Sequence, residues 1–97
     1  MKKFKDSLNT AVFTTKFVVE DRKLITYVAH DEDDGAWQFL SSDDTDDLMK
    51  VAMLVGLGEI IKIDKTILEL ADLPYGYFAT RNSITDQWLI SKKETEE

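Results

Sequence analysis

At 97 residues and 43% hydrophobic content the chain has material for one core and no room for a second domain, and the absence of cysteine excludes disulfides, thiolate metal sites and cysteine nucleophiles. The net charge is −7, and all of that excess lies in one window: Asp31, Glu32, Asp33, Asp34, Asp43, Asp44, Asp46 and Asp47 stand without a lysine or arginine among them, while the remainder carries twelve bases against eleven acids. Direct nucleic-acid binding is disfavoured, because phosphate contacts need clustered Lys and Arg.

The basic opening, Met1 to Lys5, lacks the apolar stretch a signal peptide requires, since Asp6, Ser7 and Asn9 follow it, so a frayed and solvated terminus is expected. Thr10 to Thr14 reads as a first strand, and Lys23 to His30 as a second. Between them Thr15 to Arg22 is expected to hold an irregular or single helical turn with Phe17 and Val18 packed inward. Both alternating faces of the second strand are largely apolar, which places it in the centre of the sheet.

Asp31 to Gly35 is a turn by composition, and Ala36 to Ser41 reads as a third strand returning antiparallel, with Trp37 and Phe39 on one face. A polar loop, Ser41 to Asp47, precedes a fourth strand at Val51 to Val55; its Ser-Ser-Asp-Asp opening suits the start of a helical turn. The period then changes. Ile60, Ile63, Ile67 and Leu70 form one apolar stripe on a helix of about residues 58–72, with Asp64 placed to break and restart it as an N-cap. Pro74 and Gly76 end the helix, and Gly76 to Arg81 with Gln87 to Ser91 make a final hairpin before a charged tail from Lys92.

The expected architecture is a single α+β domain with an ordered core of about residues 10–91: a mainly antiparallel sheet of about five short strands, with one helical segment, broken or continuous, packed on it. No apolar run approaches bilayer length, that of Ala52 to Val55 included, so no membrane span is expected; a cytoplasmic location is.

The dense aspartates do not make a calcium loop. With Gly35 in the glycine position the first ligand becomes His30 and the last Ser41, and a start at Asp43 puts Leu48 where glycine belongs. No metal or cofactor is therefore expected. His30, the only histidine, has Asp31 and Asp33 nearby as orienting partners for general-base work, but no Gly-x-Ser-x-Gly turn supplies a nucleophile. Any two aspartates would serve as paired carboxylates, so that signal has no specificity. Gly56-Leu-Gly58 lacks the rest of a phosphate loop and suits a strand-to-helix turn. Trp37 and Trp88 each fit a core position by strand alternation or an interface by chemistry, and alternation favours the core.

Ala11-Val-Phe-Thr, Lys23-Leu-Ile-Thr-Tyr-Val, Asp34-Gly-Ala-Trp-Gln-Phe-Leu-Ser with acids after it, and Ile60-Ile-Lys-Ile-Asp-Lys-Thr-Ile-Leu-Glu-Leu before Pro74-Tyr-Gly-Tyr-Phe-Ala together resemble a small bacterial domain. That domain is grouped with immunity protein thirty-three of polymorphic toxin systems. The likeness covers about residues 10–82; the family pattern of Gly-Trp is interrupted here by Ala36. The resemblance implies a cytoplasmic, non-catalytic protein that binds and neutralises a delivered toxin, and it carries no binding residue over.

The residues therefore favour a binding protein over an enzyme, with Asp31, Glu32, Asp33, Asp34, Asp43, Asp44, Asp46 and Asp47 meeting a basic protein partner and Trp37, Tyr75 or Tyr77 as desolvated anchors. The alternatives are a small enzyme using carboxylates and His30, and a housekeeping domain whose acidity aids solubility. The oligomeric state is left open.

Overall fold

The computed structural model describes residues 2–43 and 47–93. Six strands form one sheet: β1 (Ala11–Thr15), β2 (Tyr27–His30), β3 (Trp37–Leu40), β4 (Ala52–Gly56), β5 (Tyr77–Thr80) and β6 (Leu89–Lys92), in the order β4-β1-β3-β2-β5-β6. All neighbours are antiparallel except β1 and β3, which run parallel with Phe13 opposite Gln38. The fold is thus α+β with a mostly antiparallel sheet, and β2 is an interior strand, as its two apolar faces imply.

The helices are α1 (Lys16–Val19), α2 (Leu48–Val51), α3 (Leu57–Ile63) and a 3-10 helix (Lys65–Leu70). Asp64 sits between the last two in extended conformation, φ −150°, and its side chain accepts the Thr66 amide at 2.9 Å, so the long helix is broken where the N-cap residue stands. The short α2 starts at Asp47, whose carboxylate accepts the Met49 amide at 3.1 Å, rather than at Ser41. Gly56 and Gly58 owe their place to size and not to backbone freedom: an added Cβ would stand 3.2 Å from the Leu8 carbonyl oxygen at Gly56 and 3.3 Å from the Leu8 Cβ at Gly58. Through that close approach the Leu57 and Gly58 amides donate to the Thr10 and Leu8 carbonyls at 2.9 and 3.0 Å, which anchors the start of α3 to the chain before β1.

The second strand is shorter than its composition suggests. Arg22, at φ +55°, turns the chain out of α1, and the Ile25 carbonyl is taken by the Arg81 side chain at 3.0 Å instead of by a neighbouring strand, so regular pairing begins only at Tyr27. One sheet face carries the core. Val12, Val28, Trp37, Phe39 and Ala79 meet Leu57 and Ile60 of α3, Ile67 and Leu70 of the 3-10 helix, and Val18 of α1, all of them fully or almost fully buried. No helix among the described residues is long and apolar enough to cross a membrane.

Candidate partner-binding site

The turn from β2 to β3 carries Asp31, Glu32, Asp33 and Asp34 in four successive positions, and its backbone is closed by local bonds. The Asp31 amide donates to the Ala36 carbonyl at 2.8 Å, the Gly35 amide to the Asp31 carbonyl at 3.0 Å, and the Ala36 amide to the Asp34 carboxylate at 3.0 Å. Gly35 takes φ +71°, a left-handed conformation that side chains other than Asn and Asp rarely adopt, and this reversal brings Trp37 onto β3 in register with His30.

A second loop holds this turn from the side. Gly76, at φ +83°, donates its amide to the His30 carbonyl at 2.7 Å, and a Cβ there would meet the Glu32 carboxylate at 3.3 Å. Tyr75 stands over the turn, since a Cβ on Gly35 would lie 3.2 Å from its ring. The same ring lies 4.5 Å from the His30 ring and is 64% exposed, so Tyr75 is the aromatic that reaches the surface beside the acids. Glu32, Asp33 and Asp34 are exposed, whereas Asp31 is partly covered: it accepts from the Gln38 amide group at 2.8 Å and lies 4.0 Å from the Lys93 ammonium.

The other acids lie past the far end of β3. Asp43 accepts from the Ser41 hydroxyl at 2.7 Å and faces Lys23 at 4.0 Å, and Asp47 caps α2. Asp44 and Asp46 lie outside the described residues. Because β2 and β3 are antiparallel, the β2–β3 turn and Asp43 lie past opposite ends of one four-residue strand.

Trp37 is not part of this surface. It is 1% exposed, stacked on His30 at 3.8 Å and 13°, with the Phe4 ring edge-on at 5.0 Å. Its place is the core, as strand alternation favours, and burial removes it from the set of surface anchors. Tyr77 is half-buried against the core.

His30 is arranged as a packing residue. Its Nδ1 lies 2.7 Å from the Leu73 carbonyl, an acceptor only, so that nitrogen carries the proton; neither Asp31 nor Asp33 orients the ring. A small cavity of about 190 Å³ opens beside it, lined among others by Lys5, Asp6, Trp37, Leu73 and Tyr75, and a larger, more open groove of about 810 Å³ runs between the 3-10 helix and β6 past Trp88 and Ile90. Among the described residues no three His, Asp or Glu side chains come together as metal ligands.

One polar group in the interior escaped the sequence reading. Arg81, 5% exposed, donates to the Ile25 carbonyl at 3.0 Å, to the Thr66 hydroxyl at 2.8 Å and to the Asp64 carboxylate at 2.6 Å, and its guanidinium lies 4.1 Å from the Trp88 ring centre. A single arginine at a strand end carries no signal of this in sequence. All four contacted groups belong to the scaffold, so its role is structural.

Nothing among curated proteins or solved structures matches the chain. The family model of the Immunity protein Imm33 domain matches residues 12–91, from β1 into β6 and including the turn, the helix break and the Tyr75 loop. The chain belongs to the Imm33 immunity protein family.

Proposed function

We propose that this chain neutralises a toxin domain by stoichiometric, non-catalytic binding, and that its acidic β2–β3 turn draws in a basic partner surface. Membership of an immunity protein family supplies the class of partner. The observation that supports the turn as the point of engagement is its construction: three exposed acids in succession are carried on a reversal closed by its own backbone and held by Tyr75 and Gly76, beside an exposed aromatic ring. A charged projection held in this way loses little conformational freedom on binding, and its field accelerates encounter with a cationic groove. Asp43 and Asp47, with Asp44 and Asp46 between them in sequence, extend the acidic field from the far end of β3.

The test is to identify the toxin domain encoded immediately upstream of the chain's gene, produce it with its catalytic residue replaced, and mix the two. A one-to-one complex by light scattering, with rescue of growth when the active toxin is co-expressed, is the expected result. A metabolic gene neighbourhood, or active toxin that kills cells as fast with the chain as without it, would overturn the reading.

A further inference from the structure

We propose that the sheet face turned away from the helices is the docking surface for the toxin, and that it takes a protein surface with an apolar centre and a cationic rim. The inference deepens the proposed function and rests on it. Strand alternation sends Val12, Trp37, Phe39, Val28 and Ala79 to the core and leaves the intervening residues on the opposite face. Registers place those residues in two rows, one crossing all six strands from Leu54 through Phe13, Gln38, Ala29 and Phe78 to Ser91, the other running from Leu40 through Tyr27 and Thr80 to Leu89.

Neither row contains an Asp, Glu, Lys or Arg, although 32% of the chain is charged. An antiparallel sheet with one solvated face ordinarily alternates apolar with polar side chains. Here Leu54 is 62% exposed, Leu89 69% and Phe13 43%, and Tyr27 stacks on Phe78 with ring centres 5.7 Å apart. Six strands at about 4.8 Å spacing put Leu54 and Leu89 on the order of 25 Å apart, the width of a protein interface rather than of a small-molecule pocket.

Charge selects the occupant. Asp31 belongs to this face, where it is bonded to Gln38, and Glu32, Asp33 and Asp34 continue from it at the rim, with Lys93 offsetting one of the four at 4.0 Å. Two copies of a chain of net charge −7 stacked by this face would bring two fields of the same sign together, which opposes self-association. A cationic partner meets apolar surface at the centre and opposite charge at the edge, the arrangement of a hydrophobic core within a polar rim.

The experiment measures affinity for the catalytically inactivated toxin domain encoded beside this chain, with the wild type, Leu54→Lys, Leu89→Lys and Ile84→Lys. All three substituted side chains are more than half exposed, so the fold is expected to persist, and circular dichroism checks it. Leu54→Lys and Leu89→Lys are each expected to weaken binding about tenfold or more, the effect of placing a charge in a desolvated contact, while Ile84→Lys, in the loop after β5, changes nothing. Wild-type affinity in both face variants would overturn this inference and leave the proposed function standing. A wild-type dimer in sedimentation that either face variant renders monomeric would overturn it also, by assigning the face to a second copy. Failure of the wild type itself to bind would overturn the proposed function, and this inference with it.

Discussion

Arg81 and Asp64 form an ion pair at 2.6 Å with 1% and 10% of their side chains exposed, joining the end of β5 to the break between α3 and the 3-10 helix. The pair is what a broken helix needs to stay docked: Asp64 caps the 3-10 helix with one oxygen and holds the sheet with the other. Removing one member of a buried pair leaves the other charge uncompensated, so Asp64→Ala is expected to lower the unfolding free energy by about 3–5 kcal/mol. Total stability for a domain of this size is on the order of 5–15 kcal/mol, so the variant should unfold at markedly lower urea. The double variant Asp64→Ala with Arg81→Met should cost less than the two single losses together, because it also removes the stranded guanidinium. Strict additivity in urea titrations would show that the pair is not coupled.

The acidic turn depends on Gly35. Its φ of +71° strains any residue with a Cβ, and a Cβ would also stand 3.2 Å from the Tyr75 ring. Gly35→Ala is expected to destabilise by about 1–2 kcal/mol, the cost of a left-handed residue, while Gly35→Asn costs less because asparagine tolerates that conformation. Tyr75 is a movable side chain at the surface, so the larger share of the effect is backbone strain. Equal stability of the alanine variant and the native chain would mean that the turn takes another conformation in solution.

Most of the elements were legible in the sequence, and the reasons differ. The stripe Ile60, Ile63, Ile67, Leu70 marked the helical segment, and an aspartate set before Lys-Thr-Ile marked its break, because capping is a local effect that one residue announces. The parallel pairing of β1 with β3 was not legible, since it joins residues far apart in sequence through no local turn. Nor was the open apolar face. In β1 and β2 both sets of alternating residues are apolar, and a strand covered on two sides reads the same as one covered on one side and presenting the other to a partner. All six strands have a counterpart in the chain-order reading, β6 in Gln87 to Ser91, so the count of about five was one short, and α1 falls in the Thr15 to Arg22 segment expected to turn. The short α2 starts at Asp47 and not at the Ser-Ser-Asp-Asp opening, because a four-residue helix is too short to set a period of its own.

Fluorescence separates the two tryptophans. Trp37 lies in the core between His30 and Phe39, and Trp88 lies half-buried under the Arg81 guanidinium. In Trp88→Phe the remaining emission comes from Trp37 and is expected to be blue-shifted and shielded from acrylamide. In Trp37→Phe the emission of Trp88 should lie further to the red and quench more readily. The reverse ranking would place Trp37 at the surface and restore it as a partner anchor.

The acidic segment makes a kinetic prediction that a purely solubilising role does not. Changing Asp33, Asp34, Asp43, Asp44, Asp46 and Asp47 to Asn removes six charges, and it keeps a side-chain oxygen where Asp34 accepts the Ala36 amide and where Asp47 caps α2. Asp31 and Glu32 are left native, because the first is bonded to Gln38 and the second packs beside Gly76. The fold should therefore be retained, and the variant isolates the long-range field. Rim charges act mainly on association, so the rate of complex formation with the inactivated toxin domain is expected to fall about tenfold or more at low salt, with the dissociation rate changed much less. Salt screens exposed charges over about 10 Å at 0.1 M, so the native rate should drop steeply as ionic strength rises, and the two rates should converge. The measurement is stopped-flow association at several salt concentrations, following tryptophan emission. An unchanged rate with an unchanged salt slope would reduce the acids to a solvated face and leave recognition to the uncharged sheet surface alone.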